Sequence, residues 1–426
     1  MQQILDLHIH SRYSRACSPK LTLANIDATC RQKGVDIVAT GDFTFPDWFK
    51  EIKNELAEVS GRRDSRVSPS AGLYKLKKAQ DDKTKFILST EVALIYKKND
   101  KARRLHIVVQ APSIKAVEEL NKYLDKKYNI RSDGRPILGM KAEELARLCL
   151  SIHPKFLIYP AHIWTPWFAV FGSKSGFNSM AECFGEYTKD IYAYETGLSS
   201  DPEMNWRLSA LDDLTLLSNS DAHSLPNIGR EANAMDLEEI TYDEIYEAIK
   251  NRNTKKLKYS IEFYPEEGMY HYDGHRQCQI RFTPEETKKN KGICPVCKKP
   301  LVVGVMNRVE ELADRKVGEK PKNFIPYKKL VELDKIISEA FNIKARNSAK
   351  VQEEYNSLIK KAGSELFILM EADLDELIKV TSSEIVEGIK RVREGSLLIE
   401  PGYDGQYGTI KIFKDNEKAN KQRKLF

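Results

Sequence analysis

The sequence predicts an α/β protein in which a closed (β/α) barrel comes first, then a small metal-binding module, then a mainly helical region. Three observations carry this. Short β-branched runs alternate with segments of helical period over roughly the first 250 residues. Nearly every run ends in a histidine or an acid. Beyond the last run, His275-x2-Cys278 and Cys294-x2-Cys297 have the spacing of two metal knuckles.

The runs are residues 4–10, 35–42, 86–91, 105–111, 156–162, 191–195 and 214–223. Helices are expected at 22–33, 113–126, 141–150 and 242–251, and this alternation argues for parallel strands joined by crossovers. Seven runs fit a closed barrel better than an open sheet. In barrels of this kind functional groups gather at the C-terminal ends of the strands. Here those ends carry His8 and His10, Asp42, Glu91, His162, Glu195, and Asp221 with His223, while His106 comes early in its run. Five of the eight histidines belong to this set. The spacing of His8 and His10 puts both imidazoles on one strand face, with Asp6 behind them. Residues 61–82 lack apolar period and carry several Arg and Lys, so they read as a long basic loop, either functional or merely solvated.

Near residue 259 the composition shifts. His275, Cys278, Cys294 and Cys297 suit tetrahedral structural zinc, with His271 as an alternative fourth ligand, and a region so small and polar needs metal to fold. Helical period then dominates at 327–340, 349–362 and 383–395, and the stretch PGYDGQYGTIKIF after Glu400 reads as a turn with a short hairpin. The expected organisation is therefore 1–255, 256–306, 307–400 and 401–426.

A chain of 426 residues exceeds one compact core. Its net charge of +6 permits an anionic partner without establishing one. No apolar run approaches the roughly 20 residues that span a bilayer, and there is no signal-peptide pattern, so no membrane partner and a cytoplasmic location are expected. Seven unevenly spread cysteines do not suggest a disulfide framework.

The set of an HxH pair, Asp42, Glu91, His106, His162 and Asp221-x-His223 resembles the PHP family (polymerase and histidinol phosphatase) over about residues 1–250. The layout beyond it, HYDGHRQC…CPVC, helices and PGYDGQYG, resembles the endonuclease Q family of DNA repair nucleases over nearly the whole chain. The resemblance implies a distorted (β/α)7 barrel and two or three divalent ions in it (Zn, Mn or Mg). It also implies recognition of uracil, hypoxanthine, xanthine and abasic sites in double-stranded DNA, with cutting of the phosphodiester 5′ of the lesion. Many PHP members have His directly after the aspartate of the second motif. Here it is Phe43, which makes two metals the expectation.

Two divalent cations activate water and neutralise a phosphate. His8, His10, Glu91 and Asp221 are assigned to a first metal with Glu91 bridging, His106 and His162 to a second, and Asp42 and His223 to completing the site or holding a third. Glu195 and Asp221 are the candidate catalytic carboxylates, Glu195 as general base, as an orienting group or as a direct ligand. The loop after His162 holds Trp164, Trp167, Phe171, Gly172, Ser173 and Asn178, which with Phe43 could wall a pocket for a flipped base. The same aromatics could instead plug the barrel rim. Gln422, Leu425 and Phe426 resemble the start of a sliding-clamp docking motif. A phosphatase of small phosphomonoesters and a non-catalytic DNA-binding scaffold are the rival readings.

Overall fold

The computed structural model describes residues 1–59, 72–78 and 84–414. The chain divides into two compact units: Met1–Arg31 with Val35–Ile261 and Arg308–Tyr327, and Gln32–Gly34 with Glu262–Asn307 and the residues from Lys328 on.

The first unit is mixed α/β, and its helices fall where the period places them: Leu23–Lys33, Ile114–Lys127, Ala142–Ile152 and Tyr242–Lys250. Ser113 and Thr241 cap two of these, each side chain accepting from the amide three residues on. The strands depart from the expected parallel barrel. Gln2–Asp6 pairs in parallel with Ile37–Ala39, which pairs in parallel with Lys85–Ile87, but on its other side Gln2–Asp6 pairs antiparallel with Ala232–Asp236. A second sheet is built on the long hairpin Ser89–Lys98 and Lys101–Gln110, and Ala193–Glu195 pairs separately with Thr215–Leu217. Among the described residues no sheet closes on itself.

The cause of the difference is local. Runs 86–91 and 105–111 read as two strands needing a crossover, yet Asn99 and Asp100 both adopt positive φ (52° and 56°) and close a tight turn between longer strands. Most of the expected 61–82 loop lies outside the described residues; its described part, 72–78, contains strand Leu73–Leu76.

Pairing beyond the strand ends builds the site. The segment after Gln2–Asp6 runs beside the one carrying Asp221: Ile9 bridges Ala222 in parallel, His10 N donates to Ala222 O (3.1 Å), and Asp221 N donates to His8 O (2.9 Å). Leu5, Leu7 and Ile9 are fully buried on the opposite face. The segment after His162 is tied from outside by Arg308, whose Nε donates to Phe171 O (3.1 Å) and whose Nη2 donates to Phe177 O (2.9 Å) and Asn178 Oδ1 (2.7 Å).

In the second unit, strands Asp273–His275 and Ile280–Phe282 pair antiparallel beside the Cys294–Cys297 turn. Helices Leu333–Ala340, Ala349–Ala362 and Ser383–Glu394 follow, the last ending at Gly395 in the left-handed region (φ 67°). The expected helix 327–340 begins late because Tyr327–Lys329 is a strand. Leu398–Glu400 and Thr409–Lys411 form the expected hairpin.

Arg308→Ala leaves two backbone carbonyls in a buried setting without their donor, and is expected to destabilise the protein by about 3 kcal/mol. A urea midpoint within experimental error of the parent, at equal m value, would refute this account of the loop.

Candidate metal centre

The ligand candidates arrive from five backbone segments. His8 and His10 follow strand Gln2–Asp6, Glu91 and His106 stand on the two arms of the hairpin, and His162 and Asp221 follow Leu157–Pro160 and Thr215–Leu217. Asp42, His162 and Asp221 have φ of 47°, 28° and 46°, a region costly for residues other than glycine. Three such residues at one site show that the surrounding fold dictates their conformation. Gly197 (φ 60°) passes so close to His162 that a Cβ there would lie 2.3 Å from the His162 Cβ.

Two clusters result. His8, His10, Glu91 and Asp221 each offer one atom within 4.8 Å of the others, and so do Glu91, His106 and His162. In the second, His106 Nδ1, His162 Nε2 and Glu91 Oε1 stand 3.0–3.2 Å apart. In the first, His10 Nε2 lies 3.1 Å from Asp221 Oδ1 and 3.3 Å from Glu91 Oε2. His8 Nε2, His10 Nε2 and Asp221 Oδ1 are buried and have no hydrogen-bond partner, although they converge on one point. Buried polar atoms are ordinarily paired, so converging unpaired lone pairs fit a cation between them. Glu91 belongs to both clusters, which suits a bridging carboxylate.

The far nitrogens fix the tautomers. His8 Nδ1–H donates to Glu195 Oε2 (3.0 Å) and His10 Nδ1–H donates to Asp42 Oδ1 (3.0 Å). A carboxylate only accepts, so each ring keeps its proton on Nδ1 and turns the Nε2 lone pair inward. This corrects the expectation for Asp42 and selects the orienting role among those open to Glu195. Asp42 is not in either cluster: its other oxygen accepts from Ser11 N, Ser11 Oγ and Ser14 Oγ (2.7–2.9 Å). Glu195 also accepts from His162 N (3.1 Å) and Asn219 Nδ2 (2.8 Å), so it lies behind His8 with its oxygens committed and is not placed to act as a general base. His223 stands beside the first cluster, its ring 4.5 Å from that of His10 and its Nδ1 2.8 Å from Asp221 O, without joining it.

Charge follows this geometry. Burial would lower His8, but Glu195, Glu91 and Asp221 outweigh it and push the imidazole up to about 9. His106 goes the other way, pulled down to about 4 by burial despite Glu91. Against burial, the charges of His106 and Arg135 hold Glu91 well below the usual carboxylate range. Asp221 is also lowered, against burial, by the His10 imidazole 3.1 Å away and by the charge of His8.

Three of the seven expected base-contacting residues lie in the core. Phe43, Trp164 and Phe171 are at most 2% exposed, and Trp164 Nε1 donates to Asn205 Oδ1 (2.8 Å) while its ring packs 5.0 Å from Phe171. They are packing residues here, because planar apolar rings gain more from the core than from water. Trp167 is 42% exposed, and Ser173 and Asn178 are exposed. Gly172 makes a turn in which a Cβ would meet Thr165 O at 2.6 Å. Sequence reading placed Phe168 among the aromatics after His162 without singling it out; it is half-buried with φ 61° and its ring 4.6 Å from that of His106. That reading missed Ser11, Ser14 and Asn219 behind the ligands, and Arg135, whose Nη1 donates to Glu91 Oε2 (3.0 Å). Only Ser11 and Ser14, directly after the HxH pair, had a positional signal.

In the second unit His275, Cys278, Cys294 and Cys297 each offer a ligand atom within 4.8 Å of the others, and Cys297 Sγ lies 3.5 Å from His275 Nδ1. Against burial, the amides of Cys297 and Val296 lower the Cys294 thiol, as a thiolate ligand requires. His271 is not part of this group.

Two outcomes are expected. Asp42→Asn should weaken divalent-cation binding about 10- to 100-fold, measured by calorimetry, with little change in fold. Because the cation must displace the His8 proton, affinity should rise with pH from 6 towards about 9 and then level off. A flat pH response would contradict the charge assignment.

A family model described as the MJ0043 C-terminal domain matches residues 332–396, and one described as PHP-associated matches residues 205–254. The uncharacterized protein MJ0043 of Methanocaldococcus jannaschii is 37% identical over 254 residues, which are 58% of this chain and 31% of that protein, so the match spans about a third of that relative's length. The uncharacterized protein YqxK of Bacillus subtilis is 28% identical over 72% of this chain and 74% of its own. Among solved structures, the lesion-specific endonuclease PfuEndoQ from Pyrococcus furiosus is similar with a TM-score of 0.82 and 30% identity, covering 99% of both chains. An endonuclease Q bound to a 27-mer duplex substrate with an abasic lesion at the active site is similar with a TM-score of 0.81 and 30% identity, covering 97% of this chain and 98% of that one. With a likeness of this extent at this identity, the chain belongs to the endonuclease Q family.

Proposed function

We propose that the protein is a metal-dependent DNA repair endonuclease. It recognises deaminated bases (uracil, hypoxanthine, xanthine) and abasic sites in double-stranded DNA and hydrolyses the phosphodiester 5′ of the lesion. The observation that carries this reading is Glu91, shared by two clusters, in the first of which His8 Nε2, His10 Nε2 and Asp221 Oδ1 are buried without a hydrogen-bond partner. When bound, a pair of divalent cations at such clusters supplies an activated water and neutralises the phosphate oxygens. Two cations, with Zn or Mn favoured over Mg by the imidazoles, agree with the ligand set. Asp42 and Glu195 hold His10 and His8 in the tautomer that ligation needs. Glu91 and Asp221, both held as carboxylates, bring negative charge to the cations.

The lesion is read by the segment after His162. Phe168 and Trp167 offer aromatic surface beside the second cluster for a flipped base or for the gap it leaves. The deaminated bases share an acceptor oxygen where the parent base has an amino group. Gly172 N–H is already given to Ala169 O (3.2 Å), so a backbone N–H at Ser173 or the side-chain amide of Asn178 supplies the matching donor. A structural zinc held by His275, Cys278, Cys294 and Cys297 orders the small module. Docking on a sliding clamp through Gln422, Leu425 and Phe426 falls outside the described residues and is supported by the sequence alone.

The test is incubation with Mn²⁺, Mg²⁺ or Zn²⁺ and duplexes carrying one uracil, hypoxanthine or abasic site, against an undamaged control. Nicking confined to the phosphodiester 5′ of the lesion is expected. Turnover of p-nitrophenyl phosphate alone, or binding without cleavage, would overturn the reading. Phe168→Ala should weaken lesion binding about tenfold at unchanged stability, whereas Trp164→Ala should cost about 3–5 kcal/mol of folding stability. If Phe168→Ala binds every lesion as the parent does, this part of the recognition account fails.

A further inference from the structure

Arg135 stands on no helix or strand, and nothing in its surroundings NIRSDGRPIL marks it in the sequence, yet the fold holds it at the centre of the site. The turn before it is anchored on several sides. Gly134 N donates to Tyr13 O (3.0 Å), Thr44 Oγ1 donates to Gly134 O (3.3 Å), and Arg15 N and Arg135 N both donate to Asp133 Oδ1 (3.2 and 3.1 Å). Gly134 is so close to the carboxylate that orients His10 that a Cβ would lie 2.5 Å from Asp42 Oδ2. Pro136 O then accepts from Ala93 N (3.0 Å), two residues along the strand from Glu91. The guanidinium is thereby delivered to Glu91 Oε2 at 3.0 Å, with its side chain still 23% exposed.

Two features separate this contact from an ordinary structural ion pair. Glu91 already has ring nitrogens of His10, His106 and His162 within 3.0–3.3 Å, so it does not lack partners. Among the described residues Arg135 uses Nη1 alone, and Nε and Nη2 make no hydrogen bond. A guanidinium carries five donors in a planar fork matched to phosphate oxygens, and this one keeps most of them open at the solvent side of the clusters. Glu91, which it holds, belongs to both clusters, so the guanidinium stands at the carboxylate they share.

We propose that Arg135 is a substrate-binding residue that grips a non-bridging oxygen of the scissile phosphate and holds the growing charge of the transition state. The proposal rests on reading the site as a phosphodiester-hydrolysing centre. With cations on Glu91, like-charge repulsion loosens the Arg135–Glu91 contact, and the arriving phosphate takes the guanidinium over. The anchored 133–136 turn keeps the required movement small.

The test compares the metal-loaded parent with Arg135→Gln and Arg135→Lys on an abasic-site duplex and on the same duplex with a methylphosphonate at the scissile position. For Arg135→Gln, single-turnover cleavage should fall about 100-fold, with metal content per chain unchanged. Arg135→Lys should recover part of the loss. The methylphosphonate should weaken binding by the parent at least fivefold more than binding by Arg135→Gln, because only the parent has the guanidinium to lose. Equal penalties, or cleavage by Arg135→Gln within twofold of the parent, would overturn the proposal. So would loss of metal from Arg135→Gln, which would make Arg135 a positioning residue for Glu91. If the parent nicks no lesion duplex, the nuclease reading fails first and this proposal falls with it.

Discussion

Imidazoles and carboxylates crowded into a buried pocket must be paired or neutralised, because an isolated charge in such a medium is prohibitively costly. Much of the first unit can be read as the solution to that constraint. Asp42 takes the outer nitrogen of His10 and Glu195 that of His8, while Ser11, Ser14 and Asn219 satisfy those two carboxylates in turn. The inner nitrogens are left facing each other across Glu91. The outer shell is protein throughout; the inner shell is completed only by something positive. Such a pocket is stable enough to fold and poised to bind, with part of its own stability deferred to the ligand.

The sequence revealed the inventory of this site better than its roles. Ligand residues were legible because histidines at strand ends are poor core material, and because His8 and His10 keep a two-residue spacing. The Cys/His spacing marked the second metal group for the same reason: few packing needs produce it. Asp42 and Glu195 were indistinguishable from ligands in sequence, since an orienting carboxylate and a ligating one are the same residue type at the same kind of strand end. Only the direction of their oxygens separates them. The aromatics after His162 show the converse limit. Trp164 and Phe168 look alike in a list, yet one ring lies in the core and the other beside His106, a difference set by one positive φ and by Arg308 reaching in from more than 130 residues away.

The architecture was half legible for a related reason. Helical period survives in sequence because amphipathic helices need it, and the four expected helices of the first unit are present. Strand direction leaves no such trace. Whether two β-branched runs pair in parallel or turn back on each other depended here on two residues, Asn99 and Asp100, at a hairpin tip far from the chemistry.

That hairpin has a consequence for how the protein reaches its native state. Glu91 opposes Val108 and Ala93 opposes His106, so both ligands depend on a single ladder register. A slip of one residue would turn one arm over and send its ligand to the other face. Slipped pairings keep their hydrogen bonds and much of their apolar contact, so the backbone alone discriminates weakly against them. A divalent ion held by Glu91 and His106 would discriminate strongly, because only the native register presents the two together. Such an ion would act as a proofreading ligand for the sheet, favouring the native register by mass action.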